Sequence, residues 1–133
     1  MTSTVTYLGE LRTEATHLYS GTKILTDAPL DNQGKAEAFS PTDLCATSLA
    51  SCAMTLMGIS ARNHELDITG AKAEVTKVMA ADPRRISRVL IKFVMPQNGF
   101  TEIQKQILEK AALTCPVSFS LAEGIEQVME FEW

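Results

Sequence analysis

Hydrophobic and polar positions follow several different periods along the chain. Over residues 4–25 (VTYLGELR, EATHLYS, GTKIL) they alternate in parts among β-formers, which predicts two or three antiparallel strands with a turn at Ser20-Gly21. Residues 26–35 (TDAPLDNQGK) are dense in Asp, Pro, Asn and Gly and read as a loop. The period then lengthens. Over residues 40–62, Cys45, Leu49, Cys52, Leu56 and Ile59 recur at spacings of four, three, four and three, marking one face of a long helix. Ala46, Ala50, Ala53, Met54 and Met57 make the rest of its surface largely apolar. Such a helix is buried on several sides, so a sheet and a partner subunit are both expected to cover it, predicting a homodimer. Its start is well marked. Ser40 suits the N-cap, Pro41 the first helical position, and Asp43 sits near the positive end of the dipole.

After Asn63-His64-Glu65, residues 68–79 alternate as a strand, and Asp82-Pro83 forms a turn. Residues 86–95 form a second strand with Val89, Ile91, Phe93 and Met95 on one face. Thr101 and Gln104 have capping-box spacing, opening a helix over residues 102–113 with Ile103, Ile107, Leu108 and Ala111 inward. A short helical turn begins at Pro116. The last segment, residues 125–133, places Met129, Phe131 and Trp133 on one face of a final strand. The expected fold is one α+β domain over residues 1–133, with antiparallel sheets around a long central helix. Its order is β-β-β-α-β-β-α-α-β.

Composition narrows the function. The 133 residues carry 12 Lys and Arg against 16 Asp and Glu, a net charge of −4 without a basic run, which argues against a nucleic-acid partner. No stretch is read as the span of about 20 apolar residues that crosses a membrane, so no membrane association is expected. The start, MTSTVTYLGE, has no secretory character. Two distant histidines lack zinc-ligand spacing, and neither a phosphate loop nor a Ser-His-Asp pattern is present, so no cofactor is expected. His64, with Arg62 at the helix exit, suits a capping role. Three cysteines without an export signal suggest a reducing, cytoplasmic setting, where a cysteine pair is more often catalytic or sensing than structural.

The cysteines are the candidate chemistry. Cys45 and Cys52 lie seven residues apart on one helix, roughly 10 Å by the helical rise, too far to bridge, and Cys45 reads as packing. Cys115 precedes Pro116 in Thr114-Cys115-Pro116-Val117-Ser118, where an N-cap would sit. A helix N-terminus stabilises a thiolate, which would make Cys115 the more acidic thiol; alternatively Thr114 or Ser118 serves the cap and Cys115 fills space.

The segment SPTDLCATSLASC, residues 40–52, resembles the signature of the OsmC/Ohr family, osmotically inducible protein C and the organic hydroperoxide resistance proteins. There a Pro followed by an acidic residue opens a central helix with a cysteine eleven residues past the Pro, as Pro41 and Cys52 do. Cys115-Pro116 matches a second landmark, and the Asp82-Pro83-Arg84-Arg85 turn and the element order are similar too. The resemblance covers essentially the whole chain and is nearest to an OsmC-like subgroup. It implies a thiol peroxidase built as an intertwined homodimer. Cys52 would attack an organic hydroperoxide, alkyl or lipid, and Cys115 would resolve the sulfenic acid as a Cys52–Cys115 disulfide. A small thiol or dihydrolipoyl donor would reduce that disulfide.

The resemblance also calls for an acidic residue and a thiolate-stabilising arginine. Thr42 holds the position after the Pro, and Asp43 follows one step on, about 100° around the helix. Arg12 is the one arginine before the helix, with His17, Lys23 and Lys35 as substitutes. The expected site is therefore Cys52, Cys115, Arg12 and Asp43. Two other functions fit the same residues: a non-enzymatic module binding a hydrophobic ligand or partner in the dimer cleft, and a thiol redox sensor.

Overall fold

A computed structural model describes residues 1–133. Its elements are strands β1 (Ser3–Gly9), β2 (Arg12–His17) and β3 (Lys23–Thr26), helix α1 (Pro41–Asn63), strands β4 (Lys72–Ala80) and β5 (Arg85–Val94), helices α2 (Glu102–Leu113) and α3 (Pro116–Ser120), and strand β6 (Glu126–Glu132). A short 3-10 turn, Leu30–Asn32, lies in the loop before α1. The α+β class and the element order agree with the sequence pattern. The chain divides into two compact units, Met1–Cys45 and Ala46–Trp133.

In the first unit β1, β2 and β3 form an antiparallel sheet in that order. Glu10 and Leu11 turn the first hairpin with both φ angles positive, at 51° and 63°, the left-handed geometry of a tight two-residue turn. Val5, Ala15 and Ile24 stand side by side across the three strands. No apolar side chain of residues 1–45 is buried; the buried ones are Thr26, Asp27 and Ser40. The loop after β3 closes on itself through Gly34, where a Cβ would lie 1.7 Å from the Ala28 carbonyl oxygen.

The reciprocal box at Ser40 starts α1. Its Oγ accepts the Asp43 backbone N–H at 3.1 Å, while Asp43 Oδ2 accepts the Ser40 N–H at 2.9 Å. At the other end the Ser60 carbonyl lies 2.8 Å from His64 Nδ1 and accepts the His64 backbone N–H, in line with a capping role. Within one chain only part of the apolar surface is buried. Ala46, Leu49, Ala50, Ala53, Met57 and Ala61 are buried, whereas Cys52 and Leu56 are half-buried and Ile59 is exposed. Four alanines make up most of that face, with Leu49 and Met57 between them. By length and composition the 23 residues of α1 are also enough to cross a membrane, contrary to the sequence reading, although a soluble core helix passes the same test.

In the second unit β4 pairs antiparallel with β5, with Val89, Ile91 and Phe93 pointing into the core alongside the α1 stripe, Leu108 and Ala112. Residues 68–71, expected as the start of β4, instead form a turn in which Gly70 has φ of 90°. One pairing departs from the antiparallel expectation: β6 lies parallel to β5. The crossover through α2 and α3 returns the chain to the same end of the sheet, which allows a parallel strand. Phe93 stacks on Phe131, and Phe131 on Trp133. Thr101 and Gln104 form the complete capping box of α2.

The box at the start of α1 carries a prediction. Replacing Ser40 by Ala removes a buried acceptor for the Asp43 N–H, and is expected to lower stability by about 1–2 kcal/mol, read as a lower urea midpoint.

Candidate functional site

Two of the four expected site residues come together in the second unit. Cys52 sits on the flank of α1, half-buried, and Cys115 is fully buried at the start of α3. All three cysteines are reduced, and the Cys52 and Cys115 side chains are joined by a hydrogen bond.

Local chain geometry presents Cys115. Its extended backbone (φ −78°, ψ 146°) makes it the N-cap of α3, with Pro116 supplying the first helical position. The Sγ atom accepts the Ser118 backbone N–H at 3.3 Å, so the sulfur itself is the cap. Thr114 is occupied elsewhere, donating from Oγ1 to the Lys110 and Ala111 carbonyls that end α2. The cap does not bring the Cys115 pKa below the ordinary thiol value. Burial pushes its pKa above the ordinary thiol value, outweighing the lowering effect of the Ser118 and Val117 backbone N–H groups, and the neighbouring Cys52 raises it further.

Arg12 and Asp43 lie in the first unit, each with local partners. The Arg12 guanidinium donates to Asp27 Oδ2 at 3.4 Å and pairs with the Glu37 carboxylate. Asp27 is buried; its Oδ2 also accepts the Glu37 backbone N–H at 3.0 Å, and its Oδ1 has no partner. Thus Arg12 is one cation held between two carboxylates. Neither Asp27 nor Glu37 was singled out in the sequence, because both lie in a polar loop with no periodic pattern. Asp43 holds the first turn of α1 through the Ser40 N–H, which accounts for a carboxylate at this position. Of the proposed substitutes, Lys23 pairs with Glu14 at 2.8 Å, and His17 lies 2.7 Å from the Ser20 hydroxyl.

The structure adds Gln127, on β6. Its Nε2 donates to the Ser118 carbonyl at 3.1 Å and its Oε1 accepts from the Ser118 hydroxyl at 2.7 Å. The sequence signal was present: Gln127 precedes Met129, Phe131 and Trp133 on the alternating inward face, where a polar side chain needs a partner. No group of three or more His, Cys, Asp or Glu side chains is placed to hold a metal ion.

The sequence model of the OsmC-like protein family matches residues 34–130. Among solved structures, a Psychrobacter arcticus 273-4 protein, described as a candidate osmotic stress induced and detoxification response protein, is 56% identical. The match covers 99% of this chain and 96% of that one, with a TM-score of 0.95. An organic hydroperoxide resistance protein OsmC of Legionella pneumophila shares the fold at 15% identity, with 100% and 98% coverage and a TM-score of 0.74. An organic hydroperoxide resistance protein of Elizabethkingia anophelis does so at 17% identity, with 99% and 96% coverage and a TM-score of 0.69. No curated protein matches the chain.

The burial of Cys115 has a measurable sign. The raised pKa means that the folded state holds the thiol proton more tightly than the unfolded chain does. The resulting stabilisation is present below the ordinary thiol pKa and is lost as pH rises through the raised value. In a Cys45→Ser/Cys52→Ser background, where Cys115 is the one remaining thiol, ultraviolet titration of its thiolate is expected to show a midpoint above the ordinary value of about 8.5. A midpoint at or below that value would contradict the dominance of burial.

Proposed function

The chain belongs to the OsmC-like protein family, and from that premise we propose that it is a thiol-dependent peroxidase of organic hydroperoxides. The observation that carries this reading is the hydrogen-bonded pair of reduced thiols, Cys52 and Cys115. The Cys52 thiolate attacks the distal oxygen of the hydroperoxide. The O–O bond breaks, the alkoxide takes a proton and leaves as an alcohol, and Cys52 becomes a sulfenic acid. The Cys115 sulfur then attacks the Cys52 sulfur, the S–O bond breaks, and water leaves as the disulfide forms. Two equivalents of a small thiol, or one dihydrolipoyl group, return both cysteines to thiols by exchange.

In this reading Cys52 is the first nucleophile, because it is the less buried of the two, while burial pushes the Cys115 thiol above its ordinary pKa. The exposed apolar side chains of Leu113 and Phe119, which flank Cys115 in the chain, favour an alkyl or lipid hydroperoxide over hydrogen peroxide. Three free cysteines fit work in the reducing cytoplasm.

The same reading includes a homodimer. A three-stranded sheet needs cover for its apolar side, yet Val5 and Tyr7 are each 65% exposed, and nothing apolar in residues 1–45 is buried. The uncovered flank of α1 at Cys52, Leu56 and Ile59 needs cover as well. A second copy of the chain supplies both.

Two measurements check these proposals. Stoichiometric cumene hydroperoxide added to the reduced protein is expected to yield a Cys52–Cys115 disulfide by peptide mass spectrometry, and Cys52→Ser to lose at least a hundredfold in peroxide consumption. No disulfide, with Cys52→Ser as active as the parent, would sink the enzymatic reading. Light scattering on the size-exclusion peak is expected to give twice the chain mass of 14.5 kDa, and the single-chain mass would refute the dimer.

A further inference from the structure

α3 is too short to hold its own shape. It has five residues, and a single helical turn is unfavourable in isolation, since nucleation fixes several dihedrals for one hydrogen bond. At its ends the Phe119 N–H bonds the Cys115 carbonyl at 3.3 Å, the Leu121 N–H bonds the Val117 carbonyl at 3.1 Å, and the Ser120 hydroxyl bonds the Pro116 carbonyl at 2.8 Å. Yet this turn must keep the Ser118 N–H aimed at a buried sulfur.

The missing restraint comes from β6. Gln127 pairs with Val89 of β5, whose side chain faces the core, so the Gln127 side chain emerges on the inner face of the sheet. There both ends of its amide are taken by one residue: Oε1 by the Ser118 hydroxyl and Nε2 by the Ser118 carbonyl. The backbone carbonyl is an acceptor only, which fixes the amide orientation. Ser118 is thereby held from its side chain and its carbonyl while its N–H points the other way, at Cys115 Sγ.

We propose that Gln127 is a positioning residue for the Cys115 thiol, pinning Ser118 so that its N–H stays on the sulfur beside Cys52. The contact acts through geometry, since Gln127 carries no charge and does not itself bond the sulfur. Its effect is on the thiolate. A backbone N–H aimed at sulfur favours the charged form and offsets part of the burial that disfavours it. The importance of this for the disulfide-forming step rests on the peroxidase reading; the positioning itself does not.

The test therefore uses no peroxide. In the Cys45→Ser/Cys52→Ser background, the thiolate of Cys115 is titrated with and without Gln127→Met, which keeps the length of the side chain and removes both hydrogen bonds. The midpoint is expected to rise by about half a unit to one unit, a three- to tenfold smaller thiolate fraction at any pH below both midpoints. Ser118→Ala keeps the N–H but loses one of the two clamps, and is expected to shift the midpoint the same way by less. An unchanged or lowered midpoint in Gln127→Met overturns the proposal. If that variant does not fold, an unchanged or lowered midpoint in Ser118→Ala does so alone. A failure of the peroxide experiment leaves this titration unaffected, so the two ideas stand or fall separately.

Discussion

The burial of one face of α1 is the constraint on which the rest of the second unit depends. Ala46, Ala50, Ala53 and Ala61 bury the helix with little side-chain volume, and Leu49 and Met57 fill the gaps between them. With the alanine stripe inward, Cys52 is turned to the neighbouring flank. It is neither sealed in the core nor fully in water. A helix rotated to bury the larger residues would carry Cys52 inward, where a thiolate is costly.

Much of the fold was legible because its signals are local. Ser40 with Asp43, Thr101 with Gln104, and Cys115 with Pro116 each mark a helix start within four residues, and all three are made as read. The apolar surface of α1 was legible nearly all round, but which part of it is buried in one chain was not, since Leu49 is buried while Cys52 and Leu56 are half-buried and Ile59 is exposed. The parallel pairing of β6 was not legible, since alternation fixes which side chains share a face and says nothing about strand direction. The cysteine pair was visible through a resemblance, and its acidity was not. A cap lowers a thiol pKa and burial raises it, and only the depth of the side chain decides between them.

Charge near the first unit's sheet is arranged as a closed group. Arg12 faces two carboxylates, and one oxygen of the buried Asp27 is left without a partner. A guanidinium so engaged is well oriented, because its planar fork is fixed by its acceptors, while its charge is already answered locally. The family resemblance called for a cation and Arg12 is the one arginine before α1; the acids that hold it lie in the segment between β3 and α1, where no periodic pattern marks them.

The parallel strand has a consequence for how the thiol pair comes into being. Arg88 on β5 and Glu126 on β6 pair across 38 positions of chain, and between them lie both later helices and Cys115. Contacts of that separation close late, after the β4–β5 hairpin has formed locally. Gln127 reaches Ser118 only when β6 is in place, so the residue whose N–H meets the Cys115 sulfur is clamped by a strand that follows it in the chain. Until β6 has paired with β5, Ser118 lacks that clamp, and the setting of Cys115 is a property of the whole second unit.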